Sequence, residues 1–204
     1  MASPLQRAYV GMQCFWSVES SFACMAGVLK TRVGYAGGTT EAPNYARIGD
    51  HTEVTELQFD PSKCTYDDVL DWFFDHHDPT QQHKKQYQSA ILWAEMALQK
   101  ANTKFGGRGG VQTCVKKFDK FYQAEDYHQK YWLRTQSSAV FNELNLSDHE
   151  LVDSSLAAKL NAFLGGGFTD FRVLRQLQTE HGLSDAVTNI VEQIARAGGV
   201  GGCH

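Results

Sequence analysis

Residues 7–25 change from the apolar spacing of a strand to that of a helix, and the change falls at Cys14. Residues 7–12 have the pattern of a short strand, whereas the apolar residues that follow recur at helical intervals: Val18, Phe22 and Met25. Gly27 is a suitable helix stop, and residues 28–35 have the pattern of a second strand. The chain therefore begins with a predicted β-α-β unit, with Cys14 at the N terminus of its helix.

A cysteine at a helix N terminus is well placed to act as a nucleophile. The backbone N–H groups and the positive dipole end stabilise an anion there, so we expect the Cys14 thiol to lose its proton more easily than an ordinary cysteine. The same position also suits an inert cysteine buried beside core aromatics, because cysteine is among the most buried residue types. Position alone leaves both interpretations open.

The middle of the chain continues the succession of strands and helices. Residues 51–59 alternate strongly between apolar and polar, and Thr65 caps a helix with a dense apolar face. A strand, a helix and a further strand are predicted over residues 86–93, 95–105 and 111–118. This order predicts an α+β catalytic domain over residues 1–135, a two-layer sandwich with a split β-α-β (ferredoxin-like) core and a mainly antiparallel sheet.

The last third of the chain has a different character, because strand patterns vanish and helix signals follow one another. The predicted helices begin after three polar residues: Ser147, Thr169 and Ser184. We therefore expect a helical appendage over residues 136–197. A flexible glycine-rich arm over residues 198–204 then carries Cys203 near the chain end.

Composition excludes several classes of function. The chain of 204 residues has a formal net charge of -4 and no basic run, so nucleic acid is not an expected partner. No apolar run reaches bilayer-spanning length and no signal peptide pattern is present, so we expect a soluble cytoplasmic protein. We also expect it to be a monomer. Five cysteines without CxxC pairing argue against a disulfide framework and against a zinc site.

Three further side chains could assist a thiol nucleophile by donating a proton or a hydrogen bond. Glu53 lies on the predicted strand over residues 51–59, Tyr45 lies in a polar loop, and Tyr87 lies beside the next strand. Each is weak evidence by itself, since carboxylates are usually at the surface and single tyrosines usually pack in cores or interfaces. Together with Cys14 they supply a nucleophile, an acid and two hydroxyl donors.

Several separate blocks between residues 7 and 133 share one family pattern. They are Cys14-Phe15-Trp16 with Glu19, Arg32-Val33-Gly34-Tyr35-Ala36-Gly37-Gly38, Pro43-Asn44-Tyr45, His51-Thr52-Glu53-Val54, His77-Asp78-Pro79, Gln86-Tyr87-Gln88-Ser89-Ala90-Ile91 and Ala124-Glu125-Asp126-Tyr127-His128. In order and in character these blocks resemble peptide methionine sulfoxide reductases of the A type. Their number and register make the resemblance specific.

The resemblance implies reduction of the S epimer of methionine sulfoxide, free or in proteins, without a metal or organic cofactor. It implies these roles: Cys14 as nucleophile, Glu53 as proton donor, Tyr45 and Tyr87 as oxygen-binding tyrosines, and Phe15 and Trp16 as the methyl-binding pocket. A carboxyl group in an apolar pocket has the raised pKa needed to remain an acid near neutral pH. A sulfenic acid left on Cys14 then condenses with a second thiol, and thioredoxin reduces the disulfide.

The sequence departs from the family pattern at two places. Gln13 precedes the nucleophile where the family usually has glycine. Only residues 80–85 separate Pro79 from Gln86, so the aspartate usual in a longer segment has no counterpart. His83, Gln82 or water could take its hydrogen-bonding place.

Cys203 is the expected second thiol. Ten residues of helix place Cys24 about 15 Å from Cys14, whereas a disulfide allows roughly 7 Å between Cα atoms. Cys64 precedes a capped helix and Cys114 lies in a strand, so neither can move far without breaking backbone hydrogen bonds. The glycine arm leaves Cys203 able to sweep roughly 15 to 20 Å, and family members commonly carry such C-terminal cysteines.

Two other classes of function stay open at the level of sequence. A thiol peroxidase or cysteine hydrolase would also need an activated thiol beside an acid or a histidine, and the chain offers His51, His77 and His128. A split β-α-β sandwich could instead bind single-stranded RNA on sheet aromatics, although the acidic balance counts against it.

Overall fold

The structure, a computed structural model, describes residues 4–92 and 112–199. The helix predicted over residues 95–105 and the predicted second thiol, Cys203, lie outside these ranges. None of the helices within them is long and apolar enough to cross a membrane.

The described part of the chain alternates strands and helices first and continues in helices. In chain order the elements are β1 (Gln6–Met12), α1 (Phe15–Ala23), β2 (Val28–Ala36), β3 (Thr52–Phe59), α2 (Tyr66–Asp75), β4 (Ser89–Leu92), β5 (Cys114–Lys116), β6 (Phe121–Gln123), α3 (Tyr131–Gln136), α4 (Ser138–Leu144), α5 (Asp148–Asp153), α6 (Ser155–Leu164), α7 (Phe171–His181) and α8 (Asp185–Arg196). Short 3-10 helices lie at Lys85–Tyr87 and Asp126–His128.

The described strands form one sheet in the order β5-β4-β1-β3-β2-β6. Its neighbouring pairs are antiparallel except for β4 and β5, which run parallel. The edge strand β6 was not predicted from the sequence, whose last predicted strand covers residues 111–118. The fold is thus a mixed α/β fold with a six-stranded sheet and several helices.

Helices α1 and α2 cover one face of the sheet, and the alternation of the strands decides which side chains lie beneath them. Val10 on β1 and Leu57 on β3 are fully buried in one core cluster with Phe22 of α1 and Phe73 of α2. Glu53 lies four residues before Leu57 on β3, so the two side chains point to the same face of the sheet. The strand pattern therefore directs this carboxyl group toward α1.

The helix caps follow the sequence signals closely, with two differences. The helix expected after Thr169 is capped by the next residue, Asp170, whose side chain accepts the backbone N–H of Arg172. The hydroxyl groups of Thr65, Ser147 and Ser184 accept backbone N–H groups at the starts of α2, α5 and α8, as predicted. The single helix expected after Ser147 is instead divided into α5 and α6 at Ser154. That serine has an extended backbone, and its side chain accepts from the N–H of Ala157, so it starts a new helix.

A buried ion pair fastens α1 to the segment that leads into the C-terminal helices. Lys130 Nζ lies 2.7 Å from Glu19 Oε1 and donates to the carbonyl oxygen of Thr31 at 2.6 Å, and both charged side chains are fully buried. The other carboxylate oxygen of Glu19 accepts from the backbone N–H of Lys130 at 2.9 Å. Helix α6 also packs on α1, so the helical segment is docked against the sheet and its first helix.

The buried pair leads to a stability prediction. Lys130→Met leaves the Glu19 carboxylate buried without its cation, and we expect it to lower the free energy of unfolding by about 3–5 kcal/mol. Arg172→Met is the control, because the Arg172 side chain is 91% exposed in its pair with Asp170, and we expect a change below about 0.5 kcal/mol. Urea unfolding measures both. Equal, small losses for the two variants would contradict a structural role for the buried pair.

Candidate active site

Cys14 occupies the N-cap position of α1, two residues after the last residue of strand β1. The preceding residue, Gln13, has a φ of 76°, in the left-handed region that side chains rarely adopt. This backbone requirement explains why a glycine would be natural at that position, and why the turn presents Cys14 at the start of the helix. The cysteine is half-buried and lines a cavity.

Glu53 projects from β3 to the same point and is 1% exposed. Its Oε2 accepts the backbone N–H of Phe15 at 3.2 Å, one residue beyond Cys14, and its Oε1 accepts from Gln86 Nε2 at 2.7 Å. The two contacts hold the carboxyl group beside the first turn of α1. Acid and thiol are therefore positioned by the same helix start.

Tyr45 and Tyr87 come from separate loops and meet at the cavity. Tyr87 ends the 3-10 helix before β4, and both tyrosines line the cavity. Burial above all, together with the neighbouring Tyr45, Glu53 and Cys14, raises the pKa of Tyr87. The hydroxyl group thus stays protonated at neutral pH and can donate a hydrogen bond.

The loop that carries Tyr45 is held by a carboxylate from the segment after β6. Glu125 Oε1 accepts the backbone N–H of Tyr45 at 2.9 Å, and Glu125 Oε2 accepts from the hydroxyl of buried Tyr35 at 2.8 Å. Partial burial opposes ionisation, but these donors lower the pKa of Glu125. An ionised Glu125 fixes the loop, although Tyr45 itself remains 41% exposed.

Four aromatic side chains that line the cavity form what we call the aromatic wall: Phe15, Trp16, Tyr131 and Trp132. The rings of Trp16 and Tyr131 stack with centroids 3.6 Å apart, and Trp132 Nε1 donates to the carbonyl oxygen of Trp16 at 3.2 Å. Trp16 Nε1 donates to His128 Nδ1 at 3.0 Å, and the His128 ring contacts Phe15 with centroids 5.0 Å apart. The wall thus joins the start of α1 to the segment around α3.

These groups enclose a cavity of about 440 Å³. The lining includes all six predicted catalytic and substrate-binding residues: Cys14, Phe15, Trp16, Tyr45, Glu53 and Tyr87. The remaining lining residues are Gln13, His83, Tyr131 and Trp132. The arrangement combines a thiol, a carboxyl group and two phenol hydroxyls with an apolar surface, which suits an apolar substrate carrying one polar oxygen.

The shortened segment over residues 80–85 contributes one side chain to the cavity. His83 lines it and lies 3.1 Å from Gln13, measured between the two Nε2 atoms, whereas Gln82 is exposed. Of the two side chains that the sequence left open, His83 is therefore the one that lines the cavity. Its contact with Gln13 also links this segment to the residue before Cys14.

The other candidate histidines have structural hydrogen bonds. His51 accepts the N–H of Gly38 at Nδ1 and lies 2.8 Å from the carbonyl oxygen of Thr40. His77 lies 2.7 Å from the carbonyl oxygen of Phe73. Within residues 4–92 and 112–199, His, Cys, Asp and Glu side chains form no group of three that could hold a metal ion.

Three of the other cysteines are not among the residues that line the cavity. Cys64 is 2% exposed in the core below α1 and α2, and Cys114 lies on β5. Cys24 follows α1, where its thiol donates to the carbonyl oxygen of Ser20 at 3.3 Å, and burial raises its pKa to about 12. Such a thiol is poorly suited to form a thiolate.

Sequence reasoning missed the residues that support the site from a distance. Gln86 and Glu125 stand in the blocks that carried the resemblance, yet their contacts with Glu53 and Tyr45 depend on pairings 33 and 80 residues apart. Trp132 stands at the end of the matched region, and no local pattern signals that it lines a cavity. Of these three supporting residues, only Gln86 is adjacent in the sequence to a predicted catalytic residue, Tyr87.

Comparison with known proteins gives a consistent result. The family model described as peptide methionine sulfoxide reductase matches residues 6–160, which extends past residue 133 into α6. A peptide methionine sulfoxide reductase of Drosophila melanogaster is 38% identical over 168 residues, covering 78% of this chain and 68% of that protein. One from Salinispora arenicola is 38% identical over 152 residues, covering 65% and 69%.

Solved structures of methionine sulfoxide reductases have a similar fold. Methionine sulfoxide reductase A of Corynebacterium diphtheriae superposes with a TM-score of 0.59 at 30% identity, covering 65% of this chain and 76% of that one. The reduced form of Mxr1 from Saccharomyces cerevisiae also gives a TM-score of 0.59, at 24% identity, covering 66% and 88%, and shows a likeness of fold.

The buried His128 leads to a pH prediction. Burial lowers the pKa of His128, so the folded state stays neutral where the unfolded histidine, with a pKa of about 6.5, already binds a proton. Stability should therefore fall as the pH drops below about 6.5. His128→Asn can still accept from Trp16 but does not titrate, and we expect it to reduce this loss between about pH 7.5 and 5.5.

His149→Asn is the control for this measurement, because His149 is exposed. Its urea unfolding should keep the pH dependence of the wild type. His77, whose pKa is also lowered by burial, should leave a residual slope in His128→Asn. An unchanged slope in His128→Asn would show that His128 does not couple to folding.

Proposed function

Because the chain belongs to the peptide methionine sulfoxide reductase family, we propose that it reduces the S epimer of methionine sulfoxide, free or in proteins, with Cys14 as nucleophile. The observation that carries the proposal is one cavity that brings Cys14 and Glu53 together with Tyr45 and Tyr87 against an aromatic wall. Each group matches one requirement of sulfoxide reduction.

The substrate's two ends call for different surroundings. In the proposal the methyl group lies against Phe15 and Trp16, since burial of an apolar group on aromatic rings is favourable. The sulfoxide oxygen faces the hydroxyls of Tyr45 and Tyr87, which donate hydrogen bonds to it. This orientation turns the sulfur toward Cys14 at the helix start. Because the methyl group, the oxygen and the sulfur each have a fixed neighbour, only one configuration at the chiral sulfur fits the site.

The chemical step transfers oxygen from the substrate to the enzyme. The Cys14 sulfur attacks the sulfoxide sulfur, and Glu53 protonates the oxygen as the sulfur–oxygen bond weakens. The oxygen moves to Cys14, so that thiol and sulfoxide become sulfenic acid and thioether, and atoms balance. Cys14 is oxidised by two electrons and the methionine sulfur is reduced by two, without a metal or organic cofactor.

The sulfenic acid must then return to a thiol. We assign Cys203 as the resolving cysteine: its thiol attacks the Cys14 sulfur, a disulfide forms, and the sulfenic oxygen leaves as water. Thioredoxin, or dithiothreitol in vitro, then reduces the disulfide. Support comes from the surroundings of the other cysteines, since Cys64 is buried in the core and the Cys24 thiol resists ionisation.

We also propose how the core and the domains of this fold are divided. Strands β4, β1, β3 and β2 lie in that order with antiparallel neighbours, and α1 and α2 connect them in the sequence β-α-β-β-α-β. We interpret these elements as a split β-α-β (ferredoxin-like) core within a catalytic domain over residues 1–135. The segment over 136–197 is then a helical appendage, and residues 198–204 form the arm.

Variants of the acid and the nucleophile test the function. Glu53→Gln cannot donate the proton, and we expect it to slow consumption of the S epimer with dithiothreitol by about 100-fold or more. Iodoacetamide should still alkylate its Cys14. Cys14→Ser should consume no sulfoxide at all. For each variant, the rate of methionine formation from the S epimer is measured.

Glu41→Gln is the matched control, because the Glu41 side chain is 85% exposed and does not line the cavity. It should react at the rate of the wild type. Full activity of Glu53→Gln at every pH would reassign Glu53 to a structural role, and sustained turnover by Cys14→Ser would remove the proposed nucleophile.

A further inference from the structure

A second cavity adjoins the active-site cavity, and the two share Gln13 as a lining residue. The second cavity has a volume of about 250 Å³. Helix α1 faces both cavities, because Cys14 at its start lines the first and Ser21, two turns later, lines the second. A substrate chain that leaves the active-site cavity along Gln13 therefore reaches the second cavity.

The second cavity combines an apolar surface with polar side chains. Met12 of β1 and Val18 of α1, which are 8% and 3% exposed, supply apolar lining. Ser21 of α1 and His76, the residue that follows α2, supply polar lining. Within the part of the chain that the structure describes, no Asp, Glu, Lys or Arg side chain lines this cavity. A charged ligand would lose water there without meeting an opposite charge, so the cavity is better suited to a neutral polar group.

Trp72 of α2 holds the two polar side chains in place. Its Nε1 donates to Ser21 Oγ at 3.0 Å, and its carbonyl oxygen accepts from His76 Nδ1 at 2.8 Å. The rings of Trp72 and His76 also stack, with centroids 3.9 Å apart. Both side chains are therefore oriented by the fold before any ligand binds.

These contacts determine which hydrogen bonds the two side chains can offer to a ligand. Ser21 Oγ accepts from Trp72, so its own O–H group can donate. Nδ1 of His76 carries the proton that it donates, so Nε2 of the neutral ring can accept. His77, which also lines the cavity, has hydrogen bonds within the fold at both ring nitrogens. The cavity thus offers one donor and one acceptor beside an apolar surface.

We propose that the second cavity is a subsite for the polypeptide chain that flanks a methionine sulfoxide residue, with one peptide group bound between Ser21 and His76. A peptide group carries one carbonyl acceptor and one N–H donor, which complement the Ser21 hydroxyl and His76 Nε2. Extended chain advances about 3.5 Å per residue, so residues close to the methionine sulfoxide are the ones that pass Gln13. The inference rests on the proposed function and adds to it a preference for methionine sulfoxide within polypeptides.

The test begins with two neutral substrates that differ in length. One is the S epimer of N-acetyl methionine sulfoxide amide, and the other is an acetylated and amidated pentapeptide with two glycines on each side of the same residue. The glycines add peptide groups without side chains. With dithiothreitol as reductant, we expect kcat/KM to be about tenfold higher for the pentapeptide. The gain should appear as a lower KM, because the subsite binds the ground state and the transition state equally.

Variants of the two polar side chains assign the gain to the second cavity. Ser21→Ala removes the donor, and His76→Phe removes the acceptor while it keeps an aromatic ring beside Trp72. We expect each to lower the ratio of the two kcat/KM values by about fivefold, through the KM of the pentapeptide. Ser20→Ala is the matched control, because the Ser20 hydroxyl donates to the carbonyl oxygen of Ser17 and does not line the cavity. It should keep the ratio of the wild type.

A change in the substrate tests the same contact in the unaltered protein, so the test stays informative if a variant fails to fold. N-methylglycine in place of each glycine removes the flanking N–H donors and keeps the carbonyl groups. We expect this substrate to lose about fivefold in kcat/KM with the wild type. With His76→Phe, which has already lost the acceptor, methylation should cost nothing further.

The outcomes separate this inference from the proposed function. Equal kcat/KM values for the two substrates in the wild type would overturn the subsite. A ratio that stays at the wild-type value in Ser21→Ala and His76→Phe would overturn its location. A loss seen only in turnover with thioredoxin would make the cavity a contact for that protein and not for the substrate. If the wild type reduced neither substrate with dithiothreitol, the proposed function itself would fail.

Discussion

The hydrogen bond from the backbone N–H of Phe15 to the Glu53 carboxyl group holds the site together. It joins the first turn of α1 to β3, so the helix that presents Cys14 cannot shift without moving the acid. The N–H groups at a helix start need acceptors, and a buried carboxyl group meets this need while lying close to the thiol. Structural and chemical demands are thus satisfied by one interaction, which Gln86 supports from the segment before β4.

The cavity also depends on residues that follow the sheet. Trp132 belongs to α3, and its Nε1 donates a hydrogen bond to the carbonyl oxygen of Trp16. The backbone N–H of the next residue, Leu133, donates to the Asn161 side chain of α6 at 3.0 Å. The buried pair of Glu19 and Lys130 anchors the start of this region. The helical segment therefore does more than cover the sheet, because it completes the aromatic wall.

The parts of the fold that the sequence predicted are those with local causes. Caps at Thr65 and Ser184 and the helix start at Cys14 depend on neighbouring residues, and the structure shows each of them. Helix division at Ser154 and the short edge strand β6 were not predicted, since the first needed a choice between two serine caps and the second needed pairing with β2.

The same distinction applies to the site. The resemblance named the cavity's chemical groups, and the structure brings them together. Their supports were not predictable, because contacts of Glu125 with Tyr45 and of His128 with Trp16 join segments 80 and 112 residues apart. His83 could be distinguished from Gln82 only by seeing which of them faces the cavity.

The most direct test of the account is a single-turnover experiment with the two sulfoxide epimers kept separate. Fully reduced wild-type protein is mixed with excess N-acetyl methionine sulfoxide of one epimer, without reductant, and both the methionine formed and the thiols lost are counted. The account predicts one thioether per chain and the loss of two thiols, Cys14 and Cys203, with the S epimer, and no reaction with the R epimer. Equal consumption of both epimers, or thioether formation without oxidation of Cys14, would contradict it.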